Sequence, residues 1–216
     1  DLAICFSPTA EMSKSMTFLP KSLVYENYDE SVLENLYLTQ SRLWKRGHGP
    51  TVAVIFDDVA FDKKIFSSKI ITRIFLNGRH VHMMVLLVSQ YVNLVPPAIR
   101  TNLDIVIAGY DASRNNRETL YKALYGICDS FSSFEKIFSQ TTQNYGFLTL
   151  VNNTAERNNA LESKLFWYRA DCDTPSFRMI DDIYYYLEET LKKKEETNDD
   201  LKVQSSKIVT VNILKK

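Results

Sequence analysis

The stretch 51–90 constrains the fold of this chain more than any other part of the sequence. It begins with an uninterrupted apolar run at 52–56 and closes with a second one at 83–88. Short runs of this kind are typical of strands that are buried on both faces, as in a parallel sheet. Between them, Phe66, Ile70 and Ile74 repeat with helical spacing, with Asp62 as the expected cap and Gly78 as the stop. The stretch therefore predicts a strand, a crossover helix and a parallel strand.

Polar residues follow both predicted strands at the point where each one ends. Asp57 and Asp58 come directly after the first run, and Ser89 and Gln90 come directly after the second. In open α/β sheets, ligands bind beside the carboxyl ends of the strands. We therefore expect these four side chains to share one edge of the sheet and to form a site there.

Two further apolar runs extend this pattern along the chain. Residues 2–6 precede a Ser-Pro-Thr turn at 7–9, and residues 103–108 precede Gly-Tyr-Asp at 109–111. If all four strands are parallel, their polar ends converge. The second half of the chain predicts strands at 147–151 and 165–168, an amphipathic helix through 180–191, and an alternating terminal strand at 208–214.

Composition narrows the class of protein. Lysine plus arginine and aspartate plus glutamate both number 26, so the net charge is zero and any contact with DNA must come from local loops. Three widely spaced cysteines fit a reducing compartment and no metal spacing. No run reaches the ~18 apolar residues of a membrane span. The chain starts at Asp1 without an initiator Met, and we interpret it as a piece of a longer protein.

An apolar strand that ends in two carboxylates has a specific use in nucleotide hydrolases. The first carboxylate holds Mg²⁺, usually through water, and the second aligns the attacking water. A polar residue on the adjacent strand can then sense the γ-phosphate. The alternative is that Asp57 and Asp58 only cap the following helix, because acidic residues favour helix N-termini in general.

The sequence as given contains no phosphate-binding loop. Such a loop needs the pattern G-x-x-x-x-G-K-[ST] between a strand and a helix. None of the six glycines lies in such a run, and G-x-G-x-x-G is absent as well. A dinucleotide site therefore has no support in this sequence.

Five short motifs occur in a characteristic order. They are Ser-Pro-Thr-Ala-Glu at 7–11, Val-Ile-Phe-Asp-Asp-Val at 54–59, Leu-Asn-Gly-Arg-His at 76–80, Ser-Gln-Tyr at 89–91 and Pro-Pro-Ala-Ile-Arg-Thr-Asn-Leu-Asp at 96–104. This set resembles the genome-packaging ATPase of poxviruses and other large nucleocytoplasmic DNA viruses, in the FtsK–HerA branch of P-loop ATPases. The resemblance covers residues 2–111 and is weaker at 144–147 and 166–168. In that family the phosphate loop lies upstream of the Ser-Pro-Thr strand.

The resemblance implies a RecA/ASCE-type P-loop ATPase fold, which is a three-layer α/β fold with a mainly parallel central sheet. Its strand order is 5-1-4-3-2, and residues 2–6, 52–56, 83–88 and 103–108 would be strands 2, 3, 4 and 5. The first strand and the P-loop are missing from this chain. Residues 1–170 would form the truncated core, and 171–216 would carry a C-terminal helix, a charged linker and a terminal strand.

The resemblance also implies roles for the residues at the strand ends. Asp57 would be the Walker B acid that coordinates Mg²⁺ through water, and Asp58 would polarise the attacking water where relatives often have Glu. Gln90 would be the sensor, and Ser89 beside it would contribute to nucleotide binding.

Two arginines are candidates for a finger that reaches the nucleotide of a neighbouring subunit. Arg79 and Arg100 both lie in the matching motifs, and the sequence does not choose between them. Each could instead pair with a carboxylate.

Other cationic and aromatic residues have two interpretations. Arg42, Trp44, Lys45 and Arg46, together with Lys63 and Lys64, mix cations with an aromatic ring as DNA-tracking loops do. A solvated face is the simpler explanation. His80 and His82 are expected to pack or to form hydrogen bonds, since two histidines without a nearby cysteine make a poor metal site.

The function implied by the resemblance is an ATP-hydrolysing motor that packages viral double-stranded DNA into the capsid. It would use ATP and Mg²⁺, assemble as a homo-oligomeric ring and meet a capsid or membrane protein at the packaging vertex. Its location would be the viral factory in the host cytoplasm and the virion. The alternative is a non-catalytic, degenerate NTPase-fold protein that acts as a scaffold or assembly partner. This fragment alone is expected to be inactive.

Overall fold

The structure is a computed structural model that describes residues 1–59, 65–152, 161–171, 173 and 175–193. Its strands are β1 (Leu2–Phe6), β2 (Val24–Tyr25), β3 (Val52–Asp57), β4 (Met83–Val88), β5 (Ile105–Ala108), β6 (Gly146–Val151) and β7 (Leu165–Arg169). Its helices are α1 (Ala10–Ser13), α2 (Glu30–Lys45), α3 (Lys69–Asn77), α4 (Pro97–Arg100), α5 (Arg114–Leu124), α6 (Phe131–Thr141), α7 (Leu161–Lys164) and α8, of which residues 182–193 are described.

A four-stranded parallel sheet carries the first half of the chain. Its strand order is β2-β1-β3-β4. β3 pairs with β1 from Leu2↔Val52 to Phe6↔Phe56, and with β4 up to Asp57↔Val88. The predicted neighbours β1, β3 and β4 and their parallel directions are therefore confirmed. The two-residue strand β2 was not predicted, because it is too short to show a period.

Apolar layers cover both faces of the parallel sheet. On one face, Ile4, Val54 and Phe56 pack in a core to which α2 and α3 contribute Leu33 and Ile74. The opposite face presents mainly small side chains, and it packs against the segment after α1 and the α8 region; this layer contains Ala3, Cys5, Ala53, Ile55, Leu19, Ile180, Tyr184 and Tyr185. The alternation of the strands thus builds three layers. The predicted helix in the C-terminal region is present as α8, but it packs in this layer through Tyr184 and Tyr185, whereas the predicted apolar face of Ile183, Leu187 and Leu191 is about half exposed.

A second sheet holds the other half of the chain. β5, β6 and β7 are antiparallel in that order, and α5 and α6 pack on one face of them. The hydroxyl of the fully buried Tyr125 donates to the Leu148 carbonyl oxygen at 2.9 Å, which joins the end of α5 to β6. Predicted strands at 103–108, 147–151 and 165–168 are present with bounds shifted by one or two residues.

β4 and β5 follow one another in the chain but do not pair with each other, as the predicted strand order requires. Each strand therefore has one edge without a strand partner among the described residues. Apolar side chains beside these edges are exposed: Met84, Leu86 and Val88 on β4, and Ile105 and Ile107 on β5. We call these five residues the open edge residues.

The crossover helix differs from its prediction at its start. α3 begins at Lys69 after a 3-10 turn at Ile65–Ser67, and Asp62, the expected cap, lies outside the described residues. Gly78 does end the helix, although its φ of −56° is not left-handed. A Cβ at Gly78 would stand 3.2 Å from the Met83 carbonyl oxygen, so close approach of the backbone explains this glycine. Residues 63, 64 and 208–214 also lie outside the described residues.

Candidate functional site

The candidate site lies at the carboxyl edge of the parallel sheet, where β1, β3 and β4 end side by side. The Ser7 hydroxyl donates to Asp57 Oδ2 at 2.8 Å. The Gln90 side-chain amide lies 3.5 Å from Asp58 Oδ1, at the limit of a hydrogen bond. The structure therefore brings together the ends of three strands, as the sequence predicts.

Asp57 is the last residue of β3 and is half-buried. The strand that precedes it is buried along its whole length, since both of its faces pack in apolar layers. Burial of β3 therefore fixes the position of the Asp57 carboxylate at the end of the strand. Ser7 occupies one of its oxygens, and among the described residues no other side-chain donor contacts this carboxylate.

Asp58 has an unusual backbone conformation. Its φ is +54°, in the left-handed region, which costs free energy for a residue with a side chain. Aspartate and asparagine tolerate this region better than most residues do. Strained residues of this kind cluster at functional sites. The turn at Asp58 redirects the chain after β3 and directs its carboxylate toward Gln90.

Ser89 and Gln90 have different surroundings at the end of β4. The Ser89 hydroxyl donates to the Tyr91 carbonyl oxygen at 3.1 Å, so it stabilises the local turn. Gln90 is exposed, and its amide lies near the carboxylate of Asp58. A contribution of Ser89 to nucleotide binding stays a prediction.

Arg79 lies at the opposite edge of the sheet. It is part of the 3-10 turn Gly78–Val81, which leads into β4. The six residues of β4 separate this turn from Gln90 by roughly 20 Å at about 3.3 Å per residue. The Arg79 guanidinium pairs with Asp104 at 3.7 Å, and both side chains are about half exposed. Arg79 therefore does not reach the carboxylates of its own chain.

Arg100 is close to the same ion pair in the sequence. It ends α4 and precedes Asp104 by four residues, directly before β5 begins. The pair formed by Arg79 and Asp104 holds the starts of β4 and β5 near each other. Neither of the two predicted fingers lies directly after a strand of the parallel sheet, which is where the residues of the candidate site lie.

The predicted cationic loop is mostly helical, because Arg42, Trp44 and Lys45 belong to the last turn of α2, and its aromatic ring is used for packing. Trp44 stacks on His82 with 3.5 Å between ring centroids, and its indole nitrogen donates to the Pro50 carbonyl oxygen at 3.3 Å. Gln40 donates to the same oxygen and to that of Val81. Packing of His82 is confirmed. Because one face of Trp44 is occupied by a protein ring, this loop gives little support to a base-stacking role.

The ionisable residues of the described chain form no group of three or more that could hold a metal ion by themselves. This is consistent with Mg²⁺, which usually keeps several waters and binds one or two carboxylates plus substrate phosphates. Asp57 with one oxygen held by Ser7 suits such a role. Burial, and then the charge of Asp57, raise the pKa of the Cys5 thiol to about 12, so Cys5 is not a thiolate ligand at neutral pH.

Sequence reasoning missed the contact between Ser7 and Asp57. The signal was present, because Ser7 ends the strand that pairs with β3. Only the register Phe6↔Phe56 shows that Ser7 stands beside Asp57.

No protein-family profile matches this chain. It is 30% identical to uncharacterized protein 075L of Invertebrate iridescent virus 6 over 156 residues, which are 72% of this chain and 60% of that protein. It is 31% identical to uncharacterized protein 088R of Invertebrate iridescent virus 3 over 153 residues, which are 71% of this chain and 58% of that protein. The chain thus spans about three fifths of the length of these relatives, which are proteins of large DNA viruses.

Among solved structures, the chain is similar to the genome packaging NTPase B204 of Sulfolobus turreted icosahedral virus 2. The complex of B204 with AMP superimposes with a TM-score of 0.52 at 18% identity, over 79% of this chain and 82% of B204. The complex with ATP-gammaS gives 0.51 at 19% identity, over 77% and 80%. The chain has a P-loop NTPase-like fold. This confirms the predicted fold class. In the described part of the chain, no helix is long and apolar enough to cross a membrane.

Proposed function

We propose that this chain is part of an ATP-hydrolysing motor that packages double-stranded DNA of a large DNA virus. One observation carries the proposal: Asp57, Asp58 and Gln90 meet at the carboxyl edge of a parallel sheet, with Asp58 in a left-handed conformation. α3 begins at Lys69 with Ser68 in the N-cap position, so neither carboxylate caps that helix, which favours chemistry at this edge.

The roles are those that the resemblance implies, and the positions of the residues at the strand ends support them. Asp57 would hold Mg²⁺ through water, and the ion would supply positive charge beside the phosphates of a bound nucleotide. Asp58 orients the attacking water. Gln90, within reach of Asp58, connects the state of the γ-phosphate to the end of β4. Ser89 contributes to nucleotide binding through the turn that it stabilises.

The comparisons support this proposal without establishing the activity. The relatives come from viruses with large DNA genomes, and B204 is described as a genome packaging NTPase in complexes with AMP and ATP-gammaS. We extend this to ATP with Mg²⁺, a homo-oligomeric ring around duplex DNA, and a capsid or membrane protein at the packaging vertex. Such a motor works in the viral factory of the host cytoplasm and in the virion.

A non-catalytic scaffold is the second candidate, because the sequence contains no phosphate-binding loop. The coding sequence upstream of Asp1 separates the two functions. A G-x-x-x-x-G-K-[ST] pattern within a few tens of residues favours the motor, since β4 and β5 each have an edge without a strand partner among the described residues and the strand that leads into such a loop would pair there. Its absence from the complete gene favours the scaffold.

The direct test is ATP hydrolysis by the full-length protein. We expect Asp57→Ala to abolish Mg²⁺-dependent turnover while its circular dichroism spectrum stays that of the folded protein; its melting temperature should fall, because the buried Ser7 hydroxyl loses its acceptor. Asp129→Ala is the matched control, since Asp129 is an exposed carboxylate beside the second sheet. Undiminished turnover in Asp57→Ala would refute the proposed role of this edge.

A further inference from the structure

Ser7 is one of three polar residues that are buried in the described chain; the other two are Gln40 and Thr142. Its exposed fraction is 0%, and its hydroxyl donates to Asp57 Oδ2 at 2.8 Å. β1 and β3 are in register through Phe6↔Phe56, so Ser7 stands beside Asp57 at the next position of the sheet. The contact follows from strand pairing and joins residues that are 50 positions apart.

The backbone of Ser7 is held from two sides. Its amide donates to the Tyr25 carbonyl oxygen at 2.9 Å, and its carbonyl oxygen accepts from the Ala10 amide at 3.3 Å. β2 and α1 thus fix the position from which the hydroxyl acts. A hydroxyl that is completely buried must find a partner, and a hydrogen bond to an ionised group is stronger than one between neutral groups.

We propose that Ser7 is a positioning residue for the proposed Mg²⁺–nucleotide site. By occupying Oδ2, it fixes the rotation of the Asp57 carboxylate and leaves Oδ1 for the water shell of the ion. This inference rests on the proposed function. Groups that hydrogen-bond to a ligating carboxylate typically contribute about 10–100-fold to metal affinity or activity.

Metal binding separates this role from simple burial. In the full-length protein, binding of Mn²⁺ in the presence of ADP is measured by electron paramagnetic resonance, and turnover is measured as a function of Mg²⁺ concentration. We expect Ser7→Ala to weaken Mn²⁺ binding by about 10-fold and to raise the Mg²⁺ concentration for half-maximal turnover by a similar factor. Ser7→Cys, a weaker donor of nearly the same shape, should lie between Ser7→Ala and wild type.

Thr142→Val is the matched control. Thr142 is 2% exposed, and its hydroxyl donates to the Phe138 carbonyl oxygen at 2.7 Å, beside the second sheet. This variant removes a buried hydrogen bond without touching the candidate site. It should lose stability and keep the metal affinity of wild type.

The outcomes separate this inference from the proposed function. Ser7 is only structural if Ser7→Ala lowers the unfolding free energy but keeps the Mn²⁺ affinity of wild type. The same conclusion follows if Ser7→Ala and Thr142→Val weaken Mn²⁺ binding equally. If wild type binds Mn²⁺ with ADP but does not hydrolyse ATP, the proposed function fails, and weaker binding in Ser7→Ala still supports positioning. If wild type binds no Mn²⁺ with ADP, both the inference and the proposed Mg²⁺ site are wrong.

Discussion

At the scale of single residues, Asp58 combines a left-handed backbone conformation with a carboxylate at the candidate site. A φ of +54° is expensive for alanine and less so for asparagine, which shares the local hydrogen bonding of aspartate. Asp58→Asn therefore removes the charge without adding strain. Asp58→Ala removes the charge and adds strain as well.

We expect Asp58→Asn to retain ATP binding in the full-length protein and to lower turnover by roughly 10²–10⁴-fold, the usual contribution of a positioned acid or base. Asp58→Ala should lose activity to a similar extent. Its free energy of unfolding should also be about 1 kcal/mol lower than that of Asp58→Asn, so that it unfolds at a lower urea concentration. Single-turnover kinetics and urea titrations measure these effects. Equal ATPase rates for wild type and Asp58→Asn would remove Asp58 from the mechanism.

Residue chemistry was predictable where it depends on position along one strand. Asp57, Asp58 and Gln90 could be assigned to one edge because parallel strands align their carboxyl ends. Three facts could not be predicted, since they depend on register and backbone torsion: the hydrogen bond from Ser7, the φ of Asp58, and the ion pair that holds Arg79 at the opposite edge.

At the scale of elements, the unpaired edges of β4 and β5 are the clearest structural signal. The apolar runs predicted the strands themselves, and the resemblance implied the order β1-β3-β4 and the separation of β4 from β5. The start of α3 and the strand β2 were not, because short 3-10 turns and a two-residue strand leave no periodic pattern. Such edges present backbone donors and acceptors that need water or another chain.

The resemblance implies a further parallel strand between β4 and β5, joined to β1 by a crossover connection. The side of the sheet on which this crossover would lie can be predicted. The β3–α3–β4 connection places α3 on the face of the sheet that α2 also covers. A right-handed crossover from a strand beside β4 back to β1 runs across the sheet in the opposite direction, so it must lie on the other face, where the α8 region packs. Met84 and Leu86 pair with Ala53 and Ile55, so they belong to that face and are exposed there. Their exposure is explained if a helix before Asp1 covers them.

Residues 1–216 alone are therefore expected to self-associate and to bind ATP weakly at best. Leu86→Lys combined with Ile107→Lys should reduce association, because charges on open edges oppose strand pairing. Met12→Lys is the control, since Met12 is 81% exposed and is not an open edge residue. Sedimentation velocity over a range of concentrations measures the effect. A monomeric wild-type fragment, or tight nucleotide binding by it, would contradict this prediction.

At the scale of the whole molecule, the position of the two arginines decides how subunits can cooperate. Arg79 lies at the amino edge of the sheet and Arg100 lies shortly before β5, whereas the carboxylates lie at the carboxyl edge. A finger formed by Arg79 would therefore have to act on the nucleotide of a neighbouring subunit, and we predict the same for Arg100. Ring assembly was implied by resemblance and stays a prediction, because a single chain contains no second copy to contact.

Mixed oligomers test this geometry. Fingers that act in trans contribute about 10³–10⁵ to the rate. Adding inactive Asp58→Asn subunits to inactive Arg79→Ala or Arg100→Ala subunits should therefore restore turnover, because one kind of interface then joins an intact finger to an intact carboxylate site.

Asp104→Ala tests the alternative that Arg79 only forms its ion pair. If Arg79 serves only its ion pair with Asp104, a half-exposed pair worth about 0–1 kcal/mol, Arg79→Ala and Asp104→Ala should both stay nearly as active as wild type. A finger, in contrast, makes Arg79→Ala inactive and leaves Asp104→Ala nearly as active as wild type. Absence of rescue for both arginines, in mixtures shown to be oligomeric by light scattering, would exclude a finger at either position.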